Sequence, residues 1–359
     1  MNASTPLASR ASYAGITLYA PDRRPCAIDL SDNTNLWSAP PGAQRVIAEA
    51  ASPSLTRYPQ LYAGTLKDAL ARYVGVSPDH IVTGCGSDDV LDSAIRAFAE
   101  PGDRIALPDP SFAMIPIFAQ MNALEPVLVP LTSEYDVNVD LMLAARAKIV
   151  YLCSPNNPTG AALARTSIEA IVDRAPGLVI IDEAYAEFAD ANVLDLAARN
   201  DRVLITRTMS KAFGLAGLRI GYAIGSPRLV QEVEKSRGPY KVSGLAERAA
   251  VAALTDDIDW VRANAASAVR NRKRFAAELA RIGSSALPSS ANFVLVPVPS
   301  AVHVAAALRE RGIAVRPFER LVAQSGTALA STGGDALRIT VGPWELLDAT
   351  LGALREAIG

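Results

Sequence analysis

From about residue 43 to residue 245, short apolar runs alternate with stretches whose apolar positions recur every three or four residues. The runs predict strands beginning near Ile81, Arg104, Val127, Lys148, Leu178, Arg202 and Gly221. The periodic stretches predict helices over Thr65–Tyr73, Asp88–Phe98, Ser167–Arg174 and Arg228–Ser236. Such βα alternation implies a mostly parallel sheet with helices on both faces. After about residue 246 the pattern changes. Helices are expected over Ala246–Leu254 and Asp257–Ile282, then strands at Asn292–Val296, Ile313–Arg316 and Ala336–Val341 alternate with helices at Ala301–Arg311 and Trp344–Ile358. This is an α+β arrangement. Residues 1–42 mix proline, arginine and aromatics without a period and read as an irregular arm. The chain therefore divides into an arm (1–42), a large α/β domain (43–245) and a smaller α+β domain (246–359). Its 359 residues exceed the usual size of one core, in keeping with two domains.

Charge and composition narrow the function classes. The net charge of −2 supplies no basic field for nucleic acid. The basic run Arg270, Arg272, Lys273 and Arg274 reads as a solvated face of the long helix. Three cysteines (Cys26, Cys85, Cys153) lack metal-ligand spacing, and the odd count argues against a disulfide framework. With two histidines, neither a histidine-based metal site nor a Ser-His-Asp triad is expected. No apolar run approaches the roughly 20 residues that span a bilayer, and no secretory start is visible. A soluble cytoplasmic protein with no membrane partner is the expectation.

The chemistry concentrates at three strand ends. Ser210-Lys211 follows the run Val203-Leu204-Ile205-Thr206, and Arg219 comes eight residues after the lysine. Lysine is scarce, six against 29 arginines, so its use in a small-residue loop stands out. An amine is nucleophilic only when neutral, which burial and a nearby cation favour. That environment suits an imine to a carbonyl cofactor, although a surface lysine beside a helix start reads equally well on these residues alone. Upstream, Val150-Tyr151-Leu152-Cys153 runs into Ser154-Pro155-Asn156-Asn157-Pro158-Thr159-Gly160, and Leu178-Val179-Ile180-Ile181 ends at Asp182-Glu183-Ala184-Tyr185. Ligands in open α/β sheets bind beyond the carboxyl ends of strands. Asn157, Asp182, Tyr185 and Lys211 would all lie there. Thr83-Gly84-Cys85-Gly86-Ser87-Asp88 follows a strand and opens a helix, a form suited to an anion, though Ser87 or Asp88 could serve only as an N-cap.

Together these segments resemble fold-type-I enzymes dependent on pyridoxal 5′-phosphate (PLP), and within them the histidinol-phosphate aminotransferase family. The resemblance runs from about Asp29 to Arg338. It implies a PLP-dependent transferase fold, a seven-stranded mostly parallel sheet, and an arm packed with the small domain. It implies that Lys211 carries PLP through its amine and then moves a proton between the substrate Cα and C4′. Asp182 would pair with the pyridine nitrogen, and a cationic partner is expected for a carboxylate so placed. Asn157 and Tyr185 would donate to O3′, and Phe112 would stack on the ring where many relatives carry tyrosine. Gly86, Ser87, Asp88 (through its backbone), Thr208, Ser210 and Arg219 would surround the phosphate. Tyr58 would reach the site of a neighbouring subunit, which implies a homodimer with shared active sites. Arg338 would hold the substrate's carboxylate or phosphate, with Arg316 aiding at its distal anion and Tyr19 closing over it.

The implied reaction moves an amino group between histidinol phosphate and 2-oxoglutarate by a ping-pong route, joining a small-molecule donor to a 2-oxo acid acceptor. Two other enzymatic readings stay open: an aromatic amino-acid aminotransferase and a threonine-phosphate decarboxylase. A PLP-binding regulator without turnover is the reading from another class, and the joint presence of Lys211 and Asp182 speaks against it. The arm departs from the family, with Asp32-Asn33-Thr34-Asn35-Leu36-Trp37 in place of the usual Asn-Glu-Asn-Pro.

Overall fold

Strands buried on both faces read as unbroken apolar runs, and four such strands form the middle of the main sheet. In a computed structural model, residues 7–18, 20, 22, 24–50 and 56–358 are described; Tyr19 lies outside them. The described strands, in chain order, are β1 (Ile28–Asp29), β2 (Ile81–Cys85), β3 (Arg104–Asp109), β4 (Glu125–Pro130), β5 (Ile149–Cys153), β6 (Leu178–Asp182), β7 (Val203–Thr208), β8 (Ile220–Ile224), β9 (Phe293–Pro297), β10 (Ile313–Ala314), β11 (Arg316–Phe318) and β12 (Ala336–Thr340). The main sheet has seven strands in the order β2-β8-β7-β6-β5-β3-β4. Only β8 runs opposite to the other six strands.

Period-2 alternation sorts its side chains into two cores. Val150, Leu152, Val179 and Ile181 join one apolar cluster, while Ile149, Tyr151, Cys153 and Ile180 join the other. A second, antiparallel sheet (β11-β12-β9) has its own core, which Leu30 of the arm enters. The helix Ile258–Arg281 links the two. Val261, Ala265 and Ala268 pack with the main sheet, and Phe275 and Leu279 with the small one. No helix among the described residues is long and apolar enough to cross a membrane.

Several expectations need correction. The arm is not wholly irregular, because β1 pairs in parallel with β10. The single strand expected over Ile313–Arg316 is two, since β10 is claimed by the arm and β11 by β12. The short helices Pro41–Ala48, Met114–Met121, Val139–Ala144 and Leu194–Arg199 were not anticipated, being too brief to display a period. Pro116 masks the second of these, yet it sits in the first turn, where a missing N–H costs nothing. Arg272 is not solvated: it is buried and donates to the Ala291 carbonyl at 2.6 Å and the Phe188 carbonyl at 3.3 Å.

Candidate active site

Register brings the chemistry together. Cys153, Asp182 and Thr206 lie side by side across β5, β6 and β7, so the loops that follow these strands open at one edge. Asp182 is buried. Its Oδ2 accepts from the Tyr151 hydroxyl at 2.9 Å and its Oδ1 from the Ala184 N–H at 3.1 Å. Burial pushes its pKa up to about 6 against the pull of those donors, a displacement of about 3 kcal/mol between protonation states. No cationic side chain among the described residues lies within salt-bridge distance of it. The cationic partner expected from the sequence is thus not found among the described residues, which suits a positively charged ligand atom.

Lys211 occupies the loop after β7, with Nζ 3.2 Å from the Asp32 carbonyl and 5.8 Å from the centre of the Tyr185 ring. Burial, helped by Arg338, pulls its pKa down to about 8. Tyr185 packs edge-on against Phe293 and its hydroxyl accepts from Asn33 Nδ2 at 3.0 Å. Burial raises its pKa, so it stays protonated. Asn157 Oδ1 accepts from Arg338 Nη1 at 2.6 Å, and Arg338 Nη2 donates to the Ser31 carbonyl at 2.7 Å. Fixing Oδ1 on Arg338 turns the Asn157 NH₂ away from it.

The glycine turn precedes the helix Ser87–Phe98. Gly86 has φ 82°, and a Cβ there would collide with the Arg219 guanidinium. Gly221 on β8 passes so close to Gly86 and Ser87 that any Cβ would overlap their backbone. Glycine at both points lets a strand slide beneath a helix N-terminus and a cation lie over it. Arg219 pairs with Asp88 Oδ2 at 3.4 Å. The Thr208 hydroxyl donates to the Ile220 carbonyl at 3.3 Å and accepts from the Ser210 N–H at 3.1 Å, which shapes the Ser210 turn. Phe112 is half-buried at the entry to the helix Met114–Met121.

Arg316 and Arg338 are directly paired across β11 and β12, so both side chains project from one face. Like charges so opposed are unfavourable unless an anion joins them. Tyr58 is not part of this cluster within one chain; it is 83% exposed and stacks on Tyr240 at 4.9 Å. Sequence reasoning missed Tyr151, Asn33 and Asn292. A tyrosine inside a fully buried strand needs a partner for its hydroxyl, a signal that flags Tyr151 without naming its acceptor.

Residues 26–354 match the profile of the family described as Aminotransferase class I and II. The chain belongs to that family. It is 39% identical over 342 residues to a histidinol-phosphate aminotransferase of Roseiflexus castenholzii, covering 92% of this chain and 89% of that one. It is 34% identical over 350 residues to an aromatic amino acid aminotransferase of Corynebacterium glutamicum (strain R), covering 95% and 99%. Among solved structures, the histidinol-phosphate aminotransferase of Sinorhizobium meliloti in complex with pyridoxal-5′-phosphate superposes with a TM-score of 0.86 at 27% identity, covering 99% of this chain and 98% of the other.

Proposed function

We propose that this chain is a histidinol-phosphate aminotransferase, passing an amino group between histidinol phosphate and 2-oxoglutarate with PLP as cofactor. The residues present fit that cofactor: an amine whose pKa burial lowers to about 8, a buried carboxylate whose hydrogen-bond donors among the described residues are neutral, and a glycine turn crossed by Arg219. When bound, PLP supplies an electron sink joined to the substrate's Cα. Lys211 would hold the cofactor through its amine and, once released, would be the base that moves the substrate's Cα proton. Asp182 keeps the ring nitrogen protonated. The Asn157 NH₂ and the Tyr185 hydroxyl donate to O3′, and Phe112 covers the ring. Gly86, Ser87, Asp88 (by its N–H) and Ser210 cradle the phosphate, Thr208 supports that turn, and Arg219 neutralises it.

The substrate reading rests on the Arg316–Arg338 pair. A phosphate carries close to two negative charges at neutral pH, and two cations on one face of a sheet match it. An aromatic amino-acid aminotransferase is the second reading, favoured by the similarity to the C. glutamicum enzyme. Mixing PLP-loaded protein with each amino donor separates the two. Histidinol phosphate should convert the bound cofactor to pyridoxamine phosphate faster than phenylalanine does. A preference for phenylalanine would replace the first reading by the second. The same proposal makes the working unit a homodimer of arm, large domain and small domain, in which Tyr58 reaches the neighbouring site and Tyr19 closes over substrate.

A further inference from the structure

Asn33 sits in the arm, is 1% exposed, and has a left-handed backbone (φ 56°) that asparagine tolerates better than most residues. All its polar groups are engaged. Its N–H donates to Thr340 Oγ1 at 2.9 Å, and its carbonyl accepts from Asn292 Nδ2 at 3.0 Å. Its Oδ1 accepts from Thr340 Oγ1 at 3.3 Å, and its Nδ2 donates to the Tyr185 hydroxyl at 3.0 Å.

The direction of the last bond follows from the others. Thr340 is fully buried and has a single hydroxyl proton. Its oxygen already accepts the Asn33 N–H, so that proton needs an acceptor, and Asn33 Oδ1 provides it. The amide is thereby held with Nδ2 toward Tyr185; the reversed amide would set the Thr340 proton against an NH₂. Since the Tyr185 oxygen accepts from Asn33, its own proton must point elsewhere.

We infer that Asn33, oriented by Thr340, is a positioning residue that makes the Tyr185 hydroxyl a one-way donor into the cleft. The inference deepens the PLP reading and rests on it, for the acceptor is then the cofactor's O3′. A donor fixed on that oxygen stabilises its anionic form. It therefore lowers the pH at which the nitrogen joining Lys211 to the cofactor gives up its proton.

The visible absorbance of the PLP-loaded protein, titrated with pH, reads that proton without any turnover. Asn33→Ala and Thr340→Val should each raise the midpoint by about half to one pH unit, the scale of one neutral hydrogen bond. In a Tyr185→Phe background neither should shift it further, because the hydroxyl through which they act is gone. Thr340→Val leaves the Asn33 backbone alone, so it carries the test if Asn33→Ala does not fold. A midpoint unmoved by the substitutions, or moved equally with and without the Tyr185 hydroxyl, overturns the inference while leaving the PLP reading intact. If the unaltered protein develops no pH-dependent visible band with PLP, both fall.

Discussion

At the scale of single residues, burial moves two protonation midpoints of the candidate site in opposite directions. Lys211 is pulled down to about 8 by burial and then by Arg338, while burial pushes Asp182 up to about 6. The neutral lysine is the reactive form, so its share grows as pH rises. Capture of PLP by the cofactor-free protein should accelerate with pH and level off above about 8, well below the 10.4 of an ordinary lysine. Arg338→Ala should move that midpoint upward, and Lys211→Ala should abolish capture. Stopped-flow absorbance checks this, and a rate still climbing steadily at pH 10 would show that the amine is not buried. The sign for stability agrees. Between about 8 and 10.5 the unfolded lysine keeps a proton that the folded one has lost, so this group adds stability as pH rises through that window.

At the scale of elements, strand register decides which side chains can act together. Arg316 and Arg338 are 22 positions apart in sequence, yet pairing of β11 with β12 sets them opposite each other. A slip of one residue would send Arg316 to the other face. Arg316→Ala should raise KM for histidinol phosphate by roughly 10- to 100-fold, about 1.5–3 kcal/mol for a lost charge-assisted contact. Phenylalanine transamination, where measurable, should be nearly unaffected, because it lacks the second anion. Equal loss with both substrates in steady-state assays would make Arg316 structural. The strand ends were readable from sequence, since an apolar run halted by Asp182 or by Ser210-Lys211 is a local pattern. The split of Ile313–Arg316 was not, because it depends on which distant strand claims each half.

At the scale of the molecule, the arm and the exposed tyrosine carry the argument. The segment Ser31–Asn35 touches both cores' neighbours: the Ser31 carbonyl holds Arg338, the Asp32 carbonyl holds Lys211, and Asn35 Nδ2 donates to the Ala212 carbonyl at 2.9 Å. Tyr58, by contrast, lines an open groove of about 500 Å³ with Arg57, Gln60, Glu247 and Arg248. If Tyr58 serves the adjacent subunit, mixing Lys211→Ala with a disruptive Tyr58 variant should restore part of the activity. One site of each hybrid would then hold both native residues. No recovery, with subunit exchange verified by native mass spectrometry, would argue that each site is self-contained.

Taken alone, the sequence determined the alternating α/β plan, the strand ends that carry Asn157, Asp182 and Lys211, and the glycine turn at Gly86. Each is written in neighbouring residues, through apolar period, turn chemistry or a polar stop to a buried run. Only the tertiary structure decided that Tyr151 donates to Asp182, that Asn33 reaches Tyr185 across 152 positions, and that Arg272 is buried. A hydrogen-bond partner or a burial environment is assembled by packing of distant segments, and no local pattern encodes which segments will meet.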